Sequence, residues 1–153
     1  MTWSAKQLKE ALSIDVPDCS AVYKQVQFNS KDIKENDIFI ALAGNSDGHR
    51  FVRDALERGA GIAIVSKVVS GVDGEKLITV KNTRIALDQL AEYKRNKSKA
   101  KFIAVTGSVG KTSTKEAMKK VLSIYGKSYA SHGTFNNELG VSLTLASLPD
   151  DAD

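Results

Sequence analysis

The chain has 153 residues, 42% of them hydrophobic and 26% charged, with a net charge of +4 at neutral pH. That balance describes one ordinary folded domain or two small ones, and excludes a disordered tail or a low-complexity fibre. No apolar run approaches the ~20 residues that span a bilayer. Lys6, Lys9 and Glu10 interrupt the N-terminal apolar pattern, so neither a signal peptide nor membrane insertion is expected.

A single cysteine, Cys19, can make no internal disulfide and has no neighbours suited to zinc; a reducing cytoplasm is the expected compartment. Much of the positive excess sits in Lys94, Arg95, Lys97, Lys99 and Lys101. Tyr93 is the aromatic ring set beside the cluster, too little for a nucleic-acid partner to be expected. The cluster reads as a solvated helix end, where cations favour the C-terminal pole of the dipole.

In chain order, Ser4 and Gln7 have capping-box spacing, with Trp3 and Leu8 placed as a hydrophobic staple. A short helix follows, carrying Leu8 and Leu12 inward and ending before Pro17. Residues 22–28 are β-prone, and 37–42 form a buried-strand run. Gly44-Asn45-Ser46-Asp47-Gly48-His49 is a loop by composition. Phe51, Val52, Ala55 and Leu56 then mark a helix face stopped by Gly59 and Gly61. Strands are expected at 62–65 and 76–80, and a longer helix at 83–96 with Ala86, Leu87, Leu90, Ala91 and Tyr93 on its apolar side. After a polar linker at 97–101 a second unit begins: strand 102–105, a glycine loop, a helix from Lys111 to about Tyr125, a short strand at 128–131 and a last helix near 138–148.

Alternating strands and helices predict an α/β fold with mostly parallel pairing. The pattern divides into a small N-terminal α/β domain, 1–98, and 99–153, which holds only the opening β-α-β-α of a P-loop ATPase domain. A P-loop domain normally sandwiches a larger sheet, so the second unit reads as truncated.

Gly107-Ser108-Val109-Gly110-Lys111-Thr112 lies between an apolar strand pattern and an amphipathic helix. The full phosphate-loop template is G-x-x-x-x-G-K-[ST]; here Val105 stands at its first position, so the match is to the shorter G-x-x-G-K-T. The physical needs are still met. Two glycines let successive N–H groups face one anion, and the helix adds its positive pole. Lys111 can reach the β- and γ-phosphates of ATP, and the Thr112 hydroxyl can join a Mg²⁺ shell.

The stretch 104–116 around this loop resembles the ATP loop of the Mur ligases. Phe135-Asn136-Asn137-Glu138-Leu139-Gly140-Val141-Ser142-Leu143-Thr144-Leu145 and the segment 33–60 resemble that family in the same collinear order. Within the family the likeness is strongest to members that add D-alanyl-D-alanine to UDP-N-acetylmuramoyl-tripeptide. Three departures stand out: Asn29-Ser30-Lys31 occupies the place of a usual Asp-Ser-Arg, Gly44-Asn45-Ser46-Asp47 is a residue shorter than the usual Gly-Glu-x-x-Asp, and Ser142 replaces a common proline.

The resemblance implies ATP and Mg²⁺ as cofactors, and both peptidoglycan precursors as partners. In the reaction it implies, ATP phosphorylates the peptide carboxylate, and the amine of D-alanyl-D-alanine displaces phosphate from the acyl phosphate. Lys111 and Thr112 would then act in catalysis, with Thr112 also the metal ligand. Gly107, Ser108, Val109, Gly110, Ser113, Asn136, Asn137 and Glu138 would lie around ATP. Asn136 or Asn137 equally suits an N-cap for the helix ahead.

Ser30, Asp47, Gly48 and His49 would lie near the UDP end of the substrate, although a structural turn is the favoured reading of Asp47-Gly48-His49. His132 lies near a loop that faces ATP in the family. The family has three domains, so the resemblance also implies that this chain is an N-terminal piece unable to complete ligation alone. Two rival readings are a sister ligase that adds the third amino acid, against which Asn136-Asn137-Glu138 argues, and a non-catalytic module that binds UDP-sugar or nucleotide.

Overall fold

The computed structural model describes residues 3–16, 20–44, 46–131 and 138–153. Cys19, Asn45, His132, Phe135, Asn136 and Asn137, all singled out above, lie outside the described residues.

Helix α1 (Ala5–Leu12) starts with a complete capping box. The Ser4 hydroxyl accepts from the Gln7 N–H at 3.2 Å, and the Gln7 side chain accepts from the Ser4 N–H at 2.8 Å. Trp3 and Leu8 are both fully buried in one cluster, as the staple requires. Two short strands, β1 (Trp3–Ser4) and β2 (Val22–Tyr23), pair antiparallel.

Strands β3 (Val26–Gln27), β4 (Ile38–Ile40), β5 (Ile62–Val65) and β6 (Leu77–Thr79) form a parallel sheet in sequential order. Residues of β4 and β5 are buried on both faces, which is why both read as unbroken apolar runs. The side-chain period of two sends Ile38, Ile40, Ile62 and Ile64 to one face, and Phe39, Ala63 and Val65 to the other. Helix α2 (Val52–Glu57) covers the second face with Val52 and Ala55. The first face is covered by α1, by α3 (Thr83–Lys97) through Ala86, Leu87 and Leu90, and by α5 (Glu138–Ala146) through Leu143 and Ala146. The mixed α/β class with a parallel sheet is therefore present.

Three polar contacts fix these helices to the sheet. The Thr83 hydroxyl donates to the carbonyl of Ala41 at 2.8 Å, seating the start of α3 at the end of β4. The Trp3 indole N–H donates to the carbonyl of Ala146 at 2.8 Å. At the sheet edge, the Ser147 hydroxyl accepts from the Val26 N–H at 3.1 Å and donates to the Val26 carbonyl at 3.2 Å. An edge strand presents just such outward groups, and Ser147 satisfies a pair of them inside the core.

Three expectations need correction. Residues 102–105 and 128–131 form no strand, and Phe102 and Ile103 stay 37% and 58% exposed. A buried parallel strand needs hydrogen-bonded neighbours on both sides, and no strand among the described residues pairs with either segment. Helix α4 (Lys111–Leu122) forms where its pattern predicts, yet buries none of its residues.

Finally, Lys94 is not on a solvated helix end. It is 4% exposed, its ammonium lies 2.6 Å from the Asp150 carboxylate, and it sits 4.8 Å from the centre of the Trp3 ring. Its neighbours do keep to the surface, with Arg95 over Phe102 and Lys97 over Tyr93.

Replacing Ser147 with alanine leaves the Val26 N–H and carbonyl buried without a partner. The expected loss is about 1–3 kcal/mol, read as a lower urea midpoint at unchanged slope. A midpoint within error of wild type would show that water takes over the edge.

Candidate functional site

The described candidate residues occupy three places: the N-terminal pole of α4, the carboxyl ends of β3 and β4, and, for Glu138 alone, the start of α5.

At the first, Gly107 and Gly110 have φ of 149° and 80°, a region L side chains rarely adopt. A Cβ on Gly110 would meet nothing within 4 Å, and one on Gly107 only the Val109 carbonyl at 3.6 Å. The glycines are thus required by backbone conformation, not by lack of room. Gly110 is the N-cap of α4 and brings no side-chain hydrogen bond. The first-turn N–H groups therefore have no side-chain cap, and no acidic residue occupies that turn. This leaves the helix pole open to an anion.

The Lys111 ammonium folds back onto the Gly107 carbonyl and so lies over the same loop. Ser108, Val109 and Ser113 are exposed, and Thr112 is half-exposed at the first turn of the helix. Glu138 is exposed at the start of α5.

At the second place, the parallel sheet points its carboxyl ends at the loops that follow β3 and β4, the usual ligand side of such a sheet. Ser30 is buried in a 3₁₀ turn capped by Asn29, whose side chain accepts from the Lys31 N–H at 3.2 Å. The Ser30 hydroxyl hydrogen-bonds to Asp54 on α2, and this contact, ahead of Arg58, holds the Asp54 carboxyl below its ordinary range.

After β4, Gly48 makes a close turn: its N–H donates to the Leu42 carbonyl at 2.9 Å. A Cβ there would lie 2.6 Å from that oxygen, so only glycine fits. The Asp47 side chain caps the turn by accepting from the His49 N–H at 3.1 Å. The His49 ring is buried, and its Nε2 accepts from the Ser66 N–H at 2.9 Å. Its Nδ1 must then carry the proton, donating to Asp47 at 2.7 Å. Lys67 closes the group with an ion pair to the other Asp47 oxygen. Lys67 first, then His49, draws the Asp47 carboxyl well below the usual carboxylate range.

Ser66 and Lys67 were not singled out in the sequence, although both directly follow the apolar run of β5, where a strand's carboxyl end delivers its next side chains. Thr83, at the matching end of β6, was read only as the start of a helix. Between edge strand β3 and α5 lies an open cleft of about 500 Å³, bordered by Gln25, Gln27, Lys31, Lys34, Tyr129 and Thr144. No group of three or more histidine, cysteine or acidic side chains that could hold a metal exists among the described residues. No helix among them is long and apolar enough to cross a membrane.

Residues 105–153 match the family described as Mur ligase middle domain. The chain is 52% identical over all 153 residues to UDP-N-acetylmuramoyl-tripeptide--D-alanyl-D-alanine ligase of Rickettsia prowazekii, of which it covers 34%. A crystal structure of MurF from Acinetobacter baumannii superposes on 99% of the chain with a TM-score of 0.80 at 34% identity, and 34% of that protein is covered. MurF ligase from Thermotoga maritima, solved in complex with ADP, aligns with 80% of the chain at a TM-score of 0.60 and 31% identity, with 29% of that protein covered. The chain thus spans about a third of the length of the relatives it matches. Likeness in sequence extends over its full length and is matched by likeness in fold, and the chain belongs to the Mur ligase family.

Proposed function

We propose that this chain carries the ATP loop and the nucleotide-sugar-binding part of a ligase that joins D-alanyl-D-alanine to UDP-N-acetylmuramoyl-tripeptide. The observation that carries the reading is the open amide pole of α4: a glycine loop at positive φ, a glycine N-cap, and Lys111 folded over the same loop. The 52% identity to the Rickettsia ligase selects the reaction from among those a phosphate loop can serve. We divide the chain at 98/99, with α5 as the contact between its two parts.

In this reading the N–H groups of 107–112 cradle the phosphates of ATP. Lys111 turns from the Gly107 carbonyl to the γ-phosphoryl group as charge moves onto it. Ser113, in the first turn, adds its N–H to the cradle, and Glu138 serves the ATP side. The terminal carboxylate of the tripeptide attacks the γ-phosphorus, ADP leaves, and an acyl phosphate forms. The amine of D-alanyl-D-alanine then attacks the acyl carbon; phosphate departs and one proton is lost from the nitrogen.

Mg²⁺, when bound, would supply neutralisation of the phosphate charge. The Thr112 hydroxyl fits as its protein ligand, because a lone neutral oxygen suits an ion that keeps phosphate and water in its shell. Ser30, Asp47, Gly48 and His49 shape the nucleotide-sugar side, the last three by holding the turn after β4. A cytoplasmic location goes with this reading, as the compartment that supplies ATP.

Calorimetric titration of the chain tests the assignment. UDP-N-acetylmuramoyl-tripeptide and ATP·Mg²⁺ are each expected to bind. Lys111→Ala is expected to weaken ATP·Mg²⁺ roughly tenfold to a hundredfold, the loss of one hydrogen bond to a charged group, while leaving the UDP compound unaffected. Binding of the UDP compound alone, with no response to ATP·Mg²⁺, would favour a nucleotide-sugar module instead.

The turn at Asp47 generates an acid-stability prediction. Its folded carboxyl titrates below the unfolded value of ~3.9, so its stabilisation is fully present above that pH. It is lost as pH falls through the folded value. Asp47→Asn should therefore flatten the fall in urea midpoint below about pH 4 relative to wild type. Superimposable pH profiles for the two proteins would exclude Asp47 as a contributor.

A further inference from the structure

We propose that α5 and the turn after it form a strap that closes on the sheet edge and opens without unfolding the sheet, held shut by a clasp of Trp3, Lys94 and Asp150. Two features point to separate opening. No residue from 95 to 131 is buried, so the described part of the long segment that tethers α5 to α3 adds no buried residue to the core. Closing such a loop costs entropy that only the contacts of α5 itself offset. A nine-residue helix is also too short to persist alone, so α5 exists as a helix only while docked.

The docking contacts form one set. Leu143, Ala146 and Leu148 are buried. The Trp3 indole holds the Ala146 carbonyl, Ser147 holds Val26, and the Ser142 hydroxyl donates to Asp88 on α3 at 2.6 Å. Asp150, just past the helix, neutralises the buried Lys94, whose ammonium also faces the Trp3 ring. If the strap lifts, Lys94 keeps the indole but loses its counter-charge, and a buried cation without a partner is strongly disfavoured. The same movement removes Thr144 and Ser147 from the cleft wall, so the cleft exists only in the closed state. α2 packs on the opposite face of the sheet, in a separate core cluster.

Native-state hydrogen exchange on the 153-residue chain, followed by residue in low concentrations of denaturant, distinguishes local from global opening. The amides of α5 are expected to exchange with a smaller denaturant dependence than those of β4 and β5. Val52→Ala, on the buried side of α2, is expected to speed exchange in β4 and β5 about tenfold or more and to leave α5 within about twofold. Asp150→Ala is expected to speed α5 exchange about tenfold or more. Acceleration of α5 in step with β4 and β5 in Val52→Ala, or equal denaturant dependence of all three in the unaltered chain, would overturn the strap. Unchanged α5 exchange in Asp150→Ala would overturn the clasp.

Discussion

Trp3 gathers the two ends of the chain around one ring. Its N–H meets the carbonyl of Ala146, 143 residues away, its face carries the Lys94 ammonium, and Tyr93 packs against it with ring centres 5.7 Å apart. An indole buries a large apolar body and must still satisfy one polar N–H. A carbonyl in the last turn of a helix, free of an intrahelical partner, is a natural acceptor. The choice of Ala146 thus fixes where α5 ends against the sheet. That in turn places Ser147 opposite the outward groups of Val26 and Asp150 opposite Lys94. Tyr93 extends the arrangement to α1 by donating to Glu10 at 2.8 Å, and burial, followed by that carboxylate, pushes its hydroxyl pKa up to about 12.

The phosphate loop follows a different logic. Its geometry needs two glycines, a helix and a lysine, all local in sequence, and it forms although α4 buries nothing. Contacts that tie α4 and the residues after it to their surroundings are polar: Ser128 to the Lys119 carbonyl and Lys115 to the Ser131 carbonyl, both half-buried, and an exposed ion pair of Lys127 with Asp151. A hydrogen bond adds about 1 kcal/mol and an exposed ion pair less. An anion site of backbone amides can therefore be complete in shape while its orientation is held weakly, whereas the carboxyl edge of the sheet is held by the core itself.

That contrast explains what could be read from residues alone. Ser4 with Gln7 and the apolar runs of β4 and β5 are local signals, and each became the element it implied. The loop at 107–112 was equally legible, since φ preference is a property of glycine itself. Lys94 was not, because whether a lysine at a helix end is solvated depends on Asp150, 56 residues away. Nor was the fate of 102–105: an apolar run announces a wish to be covered, but not the neighbours that would cover it. Ser142, a departure from the family's proline, became intelligible only once its hydroxyl was found on Asp88.

The group at Asp47 shows how a plausible chemical residue can be committed to structure. A histidine near a ligand edge invites a proton-transfer role, which needs one ring nitrogen free to exchange protons. His49 has neither free: Nε2 holds the Ser66 N–H, and Nδ1 donates to Asp47, which Lys67 already neutralises. Protonating Nε2 would break the link between the turn after β4 and the end of β5. The ring therefore spaces two loops at the carboxyl edge, and Gly48 beneath it excludes any larger side chain. In the proposed reading, reactive chemistry is left to the open pole of α4, while the sheet edge supplies a fixed surface.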